Sequence, residues 1–196
     1  MKTALLFWSG GKDSAWTLRE FVSGEDPGKV TALLTTYDRR TGRVPMHDVP
    51  IEWIEQQAKQ LHLPLWSIPL PFPCSNVEYL DALKPYYNRA DVDAVLFGDL
   101  FLADIRKFRE ESLAGTGLEP MFPLWGRNTQ RLANEMIWGG IQAKITGVDH
   151  DKLDESFLGR VFNAELLESL PPGVDPCGEN GEFHTFVQDP HRLIHR

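Results

Sequence analysis

Leu5-Leu6-Phe7-Trp8-Ser9-Gly10-Gly11-Lys12-Asp13-Ser14 is a short apolar run that ends in two glycines and passes straight into polar, helix-starting residues. That order reads as strand, tight turn, helix. Gly10 and Gly11 have no Cβ, so the backbone can turn sharply there and approach a ligand closely. The amides that open the following helix lack intrahelical partners, and the positive end of the helix dipole lies beside them. Together these features make a phosphate site. Ser9 and Ser14 carry hydroxyls, and Lys12 supplies a point charge for a phosphate oxygen. The bland alternative is a glycine turn and helix N-cap with no ligand.

Spacing excludes two other phosphate loops. A Walker loop needs a glycine, four residues, then Gly-Lys-Ser/Thr. Here Asp13 follows Gly11-Lys12, and no glycine stands five residues before Gly11. The dinucleotide pattern G-x-G-x-x-G is also missing. What remains, Ser-Gly-Gly-Lys-Asp-Ser over residues 9–14, closely resembles the PP-loop of the N-type ATP pyrophosphatases. The resemblance implies cleavage of ATP between its α- and β-phosphates, giving AMP and pyrophosphate, with the loop holding the departing pyrophosphate.

The rest of the first half alternates strands and helices. Strands are expected at 3–8, 30–36, 65–69 and 94–97, and helices at 13–22, from Asp48 to about 61, and from Ser75 to about 87. Ser75 with Glu78 forms a capping-box pattern. Residues 37–49 read as a loop over the sheet edge. Alternation of this kind predicts an α/β fold, a Rossmann-like parallel sheet with helices on both faces. Ligands of such sheets bind at the carboxyl ends of the strands. Residues 9–14, Thr36 with its neighbours, and Gly98-Asp99 all fall there. After Asp99 the alternation blurs. A helix at 100–113, a break at Gly115, Gly117 and Pro120, a helix at 129–138, a strand at 141–148 and a short helix at 163–169 suggest a smaller C-terminal α+β lobe. The expected division is 1–104 for the nucleotide-binding domain and 105–196 for an acceptor-binding lobe, with the active site in the cleft between them.

The 196 residues, 42% of them hydrophobic, suffice for a normal core. No apolar stretch approaches the ~20 residues of a membrane span, and the apolar run after Met1 is too short for a signal peptide. A cytoplasmic protein without membrane contact is expected. In that compartment a disulfide between Cys74 and Cys177 is not expected, and neither has histidine partners at zinc-site spacing. The net charge of −8 argues against a nucleic-acid partner. Basic residues group at Arg39, Arg40 and Arg43, and at Arg106, Lys107 and Arg109. Each group has the plain reading of a solvated face.

A second constellation lies near the C-terminus. Cys177-Gly178-Glu179-Asn180-Gly181-Glu182-Phe183-His184-Thr185-Phe186 packs carboxylates, an imidazole, an amide and a hydroxyl into ten residues. Glu182 and His184 alternate as in a strand, which would set both on one face. A carboxylate beside an imidazole suits general-base work, metal binding or recognition of an amine. A solvated acidic turn is the competing reading.

This segment resembles the C-terminal signature of the diphthine–ammonia ligase family, approximately Gly-Glu-(Gly/Asn)-Gly-Glu-(Tyr/Phe)-His-Thr. Met121-Phe122-Pro123-Leu124-Trp125 resembles that family's Pro-Leu-Trp segment, and Gly139-Gly140-Ile141-Gln142-Ala143 its next glycine turn and strand. His47 matches a family histidine. The resemblance spans nearly the whole chain and implies a PP-loop fold of the adenine nucleotide alpha hydrolase type. The family reaction joins ammonia to the carboxylate of diphthine, a modified histidine on elongation factor 2, through an expected acyl-adenylate. The chain departs from the family between Gly98 and Glu111, where only Arg109-Glu110 keeps part of the family's pattern. It looks like a divergent, bacterial-type branch, in which the ATP chemistry carries over better than the acceptor.

The expected function is therefore an ATP-dependent ligase. It would adenylate a substrate carboxylate and join it to ammonia or an amine, releasing AMP and pyrophosphate. Nucleotide binding is expected of Ser9, Gly10, Gly11, Lys12, Asp13, Ser14, Thr36, Gly98 and Asp99. Lys12 and Mg²⁺ would neutralise the phosphates. Asp13 stands between metal ligand and helix cap, and Asp99 between metal or ribose contact and turn residue. Glu182 and His184 are the acid–base candidates, with Lys12 the third catalytic residue. His47, Glu179, Asn180, Gly181 and Thr185 are the acceptor-side candidates. The acceptor would be a small molecule or a protein side chain, and the reading leaves room for a homodimer. No glutaminase nucleophile follows Met1, since Lys2 stands there. Two rivals remain: an RNA-modifying PP-loop enzyme, and an adenine-nucleotide sensor without turnover.

Overall fold

In β1 (Thr3–Phe7), Ala4 and Leu6 face one side and Leu5 the other, and all three are buried. A strand buried on both faces belongs inside a parallel sheet. β1 pairs in parallel with β2 (Lys29–Asp38) on one side. On its other side it pairs in parallel with β6 (Ala94–Leu96). β5 (Leu65–Leu70) lies parallel along β2, and β7 (Glu119–Met121) along β6. The parallel part thus runs β5-β2-β1-β6-β7. A hairpin of β3 (Arg43–Val44) and β4 (Val49–Pro50) extends the sheet antiparallel from the end of β2. The computed structural model describes residues 1–194. Residues 195 and 196, the end of the expected C-terminal lobe, lie outside the described residues.

Helices cover both faces. α1 (Lys12–Ser23) and α2 (Ile51–Gln60) pack Ala15, Trp16, Leu18, Ile54 and Ala58 with Ala4, Leu6 and Leu33 on one side. α3 (Asn76–Arg89) brings Leu83 and Tyr87 against Leu5, Leu34 and Val95 on the other. α4 (Ala103–Ser112) buries none of its residues completely. The remaining chain packs on the face of α1. It holds α5 (Thr129–Trp138), β8 (Ala143–Val148), α6 (Ala164–Ser169) and β9 (Phe183–Val187). β8 and β9 form their own antiparallel pair, and Met136, Ile145, Phe162, Leu166 and Phe183 share the core that holds Trp16. Among the described residues no helix is long and apolar enough to cross a membrane, and Cys74 and Cys177 are free thiols.

The expected elements recur with small shifts at their ends, and three differences have plain causes. Residues 37–49 are not all loop, because β2 runs on to Asp38 and the β3–β4 hairpin follows. Asp48 does not open α2. It sits at φ 49° and pairs with Arg43, while Pro50 takes the N-cap position. The break around residue 120 contains β7, an edge strand, where proline costs no ladder bond on its open side. The Ser75–Glu78 capping box is present as read, with Ser75 Oγ accepting the Glu78 amide.

The chain leaves β1 toward β2 and later returns on the other side as β6. The crevice outside the carboxyl ends of β1 and β6 is therefore the switch point where such sheets bind ligands. Gln57 of α2 braces it from behind. The Trp8 indole donates to Gln57 Oε1 at 2.8 Å, and Gln57 Nε2 donates to the carbonyls of Gly10 at 3.1 Å and Val187 at 2.5 Å. Gln57 is 1% exposed, so water cannot replace it. Replacing Gln57 with Leu should cost about 3 kcal/mol, since a buried indole N–H and a buried carbonyl lose their partner. Urea unfolding measures this, and a loss below about 0.5 kcal/mol would show that the brace is dispensable.

Candidate functional site

Two glycines shape the loop between β1 and α1. Gly10 adopts φ +80°, and a Cβ there would stand 2.5 Å from Ile54 Cδ1 and 2.9 Å from Gln57 Oε1. A Cβ on Gly11 would stand 2.6 Å from His47 Cε1 and 3.0 Å from the Thr185 carbonyl oxygen. Gly11 is the N-cap of α1 and offers no side chain to its first turn. Ser9 Oγ accepts the Gly11 amide at 3.3 Å and lies 3.4 Å from Ser14 Oγ, which donates to the Gly11 carbonyl at 3.0 Å. Across the crevice, a Cβ on Gly98 would meet the Asp13 carbonyl carbon at 3.1 Å and the Ser14 nitrogen at 3.2 Å. The start of α1 therefore rests directly on Gly98.

The C-terminal segment closes on this loop. Thr185 Oγ1 accepts the Lys12 amide at 3.1 Å. Lys12 is 2% exposed, and its ammonium reaches Asp13 Oδ2 at 2.8 Å and donates to the Cys177 carbonyl. The rings of Phe162 and Phe183 flank it at 5.6 and 5.5 Å. Burial, the largest effect, lowers the Lys12 pKa, but Asp13, Cys177 and Glu179 together outweigh it and hold the pKa raised. An ammonium has three N–H donors, so one direction is left for a ligand. The expected phosphate lysine is thus also a tie between the loop and the C-terminal segment.

The resulting cavity holds about 300 Å³. Ser9, Lys12, Asp13 and Ser14 line one side, with Gly98 and Asp99 beside them. His47, Glu179, His184 and Thr185 line the other. His47 Nδ1 is 2.9 Å from the Thr185 carbonyl oxygen. A carbonyl only accepts, so Nδ1 carries the hydrogen and Nε2 is left as an acceptor. The rings of His47 and His184 lie 5.0 Å apart. Burial first, then the nearby His47 and Lys12, lower the His184 pKa to about 3, and burial lowers that of His47. Glu179 Oε1 accepts the Leu100 amide at 2.7 Å. Burial first, and the carboxylates of Asp13 and Asp99, raise the Glu179 pKa to about 7 against that amide. Burial likewise raises Asp99, opposed by Arg109 3.6 Å away.

Not every expected residue meets in this cavity. Thr36 is paired with Ile68 inside the sheet and lies outside the lining. Glu182 precedes β9 and does not share the outlook of His184. It is 3% exposed, and its Oε1 accepts the Asp175 amide at 2.9 Å and Asn180 Nδ2 at 3.0 Å. Gly181 faces a neighbouring shallow cavity that shares Met46 and His184 with the cleft. Among the described residues no group of three or more His, Cys, Asp or Glu is placed to hold a metal by itself. Two residues were not named as site candidates from sequence. Gln57 was hidden on an apolar helix face, where a lone amide between Ile54 and Ala58 is the available signal. Arg109 was read as part of a solvated basic face, although it falls four residues after Ile105, on the side that lines the cleft.

Family descriptions and known proteins match most of the chain. The family description "Diphthamide synthase N-terminal domain" matches residues 1–119, and "Diphthamide synthase C-terminal domain" matches 128–193. The protein named diphthine–ammonia ligase in Homo sapiens is 28% identical over 213 aligned positions, covering 96% of this chain and 79% of that one. The protein of that name in Bos taurus is 30% identical with the same coverage. Among solved structures, a predicted subunit of tRNA methyltransferase from Methanocaldococcus jannaschii superposes with a TM-score of 0.52 at 15% identity, over 95% of this chain and 96% of that one. That last likeness speaks for the fold alone.

The depressed pKa of His184 has a consequence for stability. Its ordinary value is 6.5 and its folded value about 3, so in that window the unfolded chain binds the extra proton. The stabilisation is complete above the ordinary value and is lost as pH falls through the window. His184→Phe should remove this dependence. The wild-type thermal midpoint should therefore fall more steeply than the variant's between about pH 7 and pH 4. Parallel curves in calorimetry would mean that His184 is not held neutral by the fold.

Proposed function

Since the chain belongs to the diphthine–ammonia ligase family, we propose that it is an AMP-forming ligase whose cleft adenylates a carboxylate and passes the acyl group to ammonia or an amine. One observation carries this reading: the PP-loop and the C-terminal segment form a single site, joined through Lys12, Cys177 and Thr185. A phosphate loop alone would fit a nucleotide sensor. A second set of polar groups built against it fits a second substrate.

In this reading the triphosphate lies on residues 9–14, at the uncapped start of α1, where backbone amides and the helix dipole favour an anion. Lys12 contributes its remaining N–H direction to the leaving pyrophosphate. Asp13 and Asp99 fit a hard cation. Both line the cleft. One or two carboxylates completed by substrate phosphates is the usual holding of Mg²⁺. Bound there, the ion would neutralise charge on the phosphates. Residues 1–104 would serve the nucleotide and 105–196 the acceptor. His184 would serve the amine step from the cleft wall, beside the His47 Nε2 acceptor, and Glu182 through the turn it orders with Asn180 and Asp175. Glu179, with its pKa near 7, would change charge on meeting a cationic amine. The acceptor is a carboxylate-bearing small molecule or protein side chain.

Turnover should release AMP and pyrophosphate, and chromatography that found only ADP and phosphate would place the chemistry elsewhere. Lys12→Ala should weaken ATP binding or turnover in calorimetry and pyrophosphate release, and no change in both would remove the loop from the reaction. Alanine at His184 should lower amide formation by about 10²–10⁴, the usual loss for a positioned acid–base group, and alanine at Glu182 should lower it through the turn that Glu182 orders, while ATP binding persists in both. Loss of ATP binding in a folded variant would instead assign those residues to the nucleotide.

A further inference from the structure

The mechanism above leaves Arg109 without a task. Its side chain reaches from α4 into the cleft wall and is largely buried. The guanidinium carbon lies 4.8 Å from the Phe7 ring centre and 5.1 Å from that of Phe97. Phe97 stacks in turn on Phe122 at 5.4 Å, so the surface beneath the guanidinium is itself packed. Nη1 donates to the Tyr79 hydroxyl at 2.9 Å. Nε stands 3.6 Å from Asp99 Oδ2, beyond hydrogen-bond distance, and both atoms are buried without a hydrogen-bond partner.

A buried donor and a buried acceptor left unmade are costly. Here they face each other across a gap of less than an ångström beyond a normal bond, at the carboxyl end of β6. The rings and the tyrosine set the plane of the guanidinium fork. The fork in turn limits where the Asp99 carboxylate can point. Lysine could not do the same, because a point charge on a flexible stem cannot lie flat on two rings while reaching both a hydroxyl and a carboxylate.

We propose that Arg109 is a positioning residue that aims the Asp99 carboxylate at the nucleotide bound in the crevice between β1 and β6. This rests on the reading of the cleft as an ATP site. Arg109 itself need not touch the nucleotide. Its effect on binding passes through Asp99.

A double-mutant cycle tests the proposal, with Mg²⁺-ATP affinity measured by calorimetry on the full chain. Arg109→Met and Asp99→Asn should each weaken affinity by about tenfold, and the double variant should be no weaker than either single one. Arg109→Lys should lose nearly as much as Arg109→Met. Thermal midpoints are read in parallel, because a merely structural arginine would lower the midpoint and leave affinity unchanged. Unchanged affinity in a folded Arg109 variant overturns the proposal alone. So does a double variant weakened by about a hundredfold, the additive result. If Arg109→Met does not fold, the cycle is run with Arg109→Lys under the same criteria. A wild-type chain that binds no ATP overturns the nucleotide reading, and with it this proposal.

Discussion

The buried Lys12 ammonium is the interaction on which the site depends. An ammonium that is 2% exposed must be paired, or the cost of removing it from water would expel it or strip its proton. Asp13 supplies the charge, the Cys177 carbonyl a second acceptor, and Phe162 and Phe183 the surrounding rings. Three of these four partners lie far along the chain from the loop. The pairing requirement of one lysine therefore fixes the C-terminal segment against the N-terminal sheet. Thr185 adds two further ties, accepting the Lys12 amide and the His47 ring N–H.

This arrangement concentrates charge. Asp13, Asp99 and Glu179 share one cleft with Lys12 and Arg109. Burial first, then the carboxylates of Asp13 and Asp99, raise Glu179, while the helix start and Lys12 favour anions close by. Such a site gains by binding a ligand that brings both charges, phosphates on one side and a cation on the other. The chain's net charge of −8 does not oppose this, because in the proposed reading the local amides and Lys12, not the distant surface field, would meet the phosphates.

Burial differs around the cleft. β1 and β6 are buried on both faces, and Gln57 fills its bonding capacity behind the loop. α4 buries no residue completely, yet it supplies Arg109 to the wall. The strands beneath the loop are thus part of the core, while Arg109 of α4 meets them on the Phe7 and Phe97 rings.

The sequence by itself determined the local pieces. Continuous apolar runs, the double glycine before a polar helix start, and the Ser75–Glu78 box are short-range signals, and each is read where it stands. Their alternation was enough for a parallel sheet with a crevice at the ends of β1 and β6, and the signature around residues 177–186 was enough to mark a second polar group set. Tertiary structure decided what these pieces meet. Lys12 reads as a free phosphate ligand until the fold gives it Cys177 as a partner, 165 residues away. Glu182 and His184 share a parity in sequence, but β9 begins only at Phe183, so parity says nothing about the turn that holds Glu182. Gln57 and Arg109 look like ordinary helix-surface residues until the loop, β9 and Asp99 arrive beside them. Burial and pairing are properties of the assembled neighbourhood, and no local pattern encodes which distant backbone will complete a hydrogen bond.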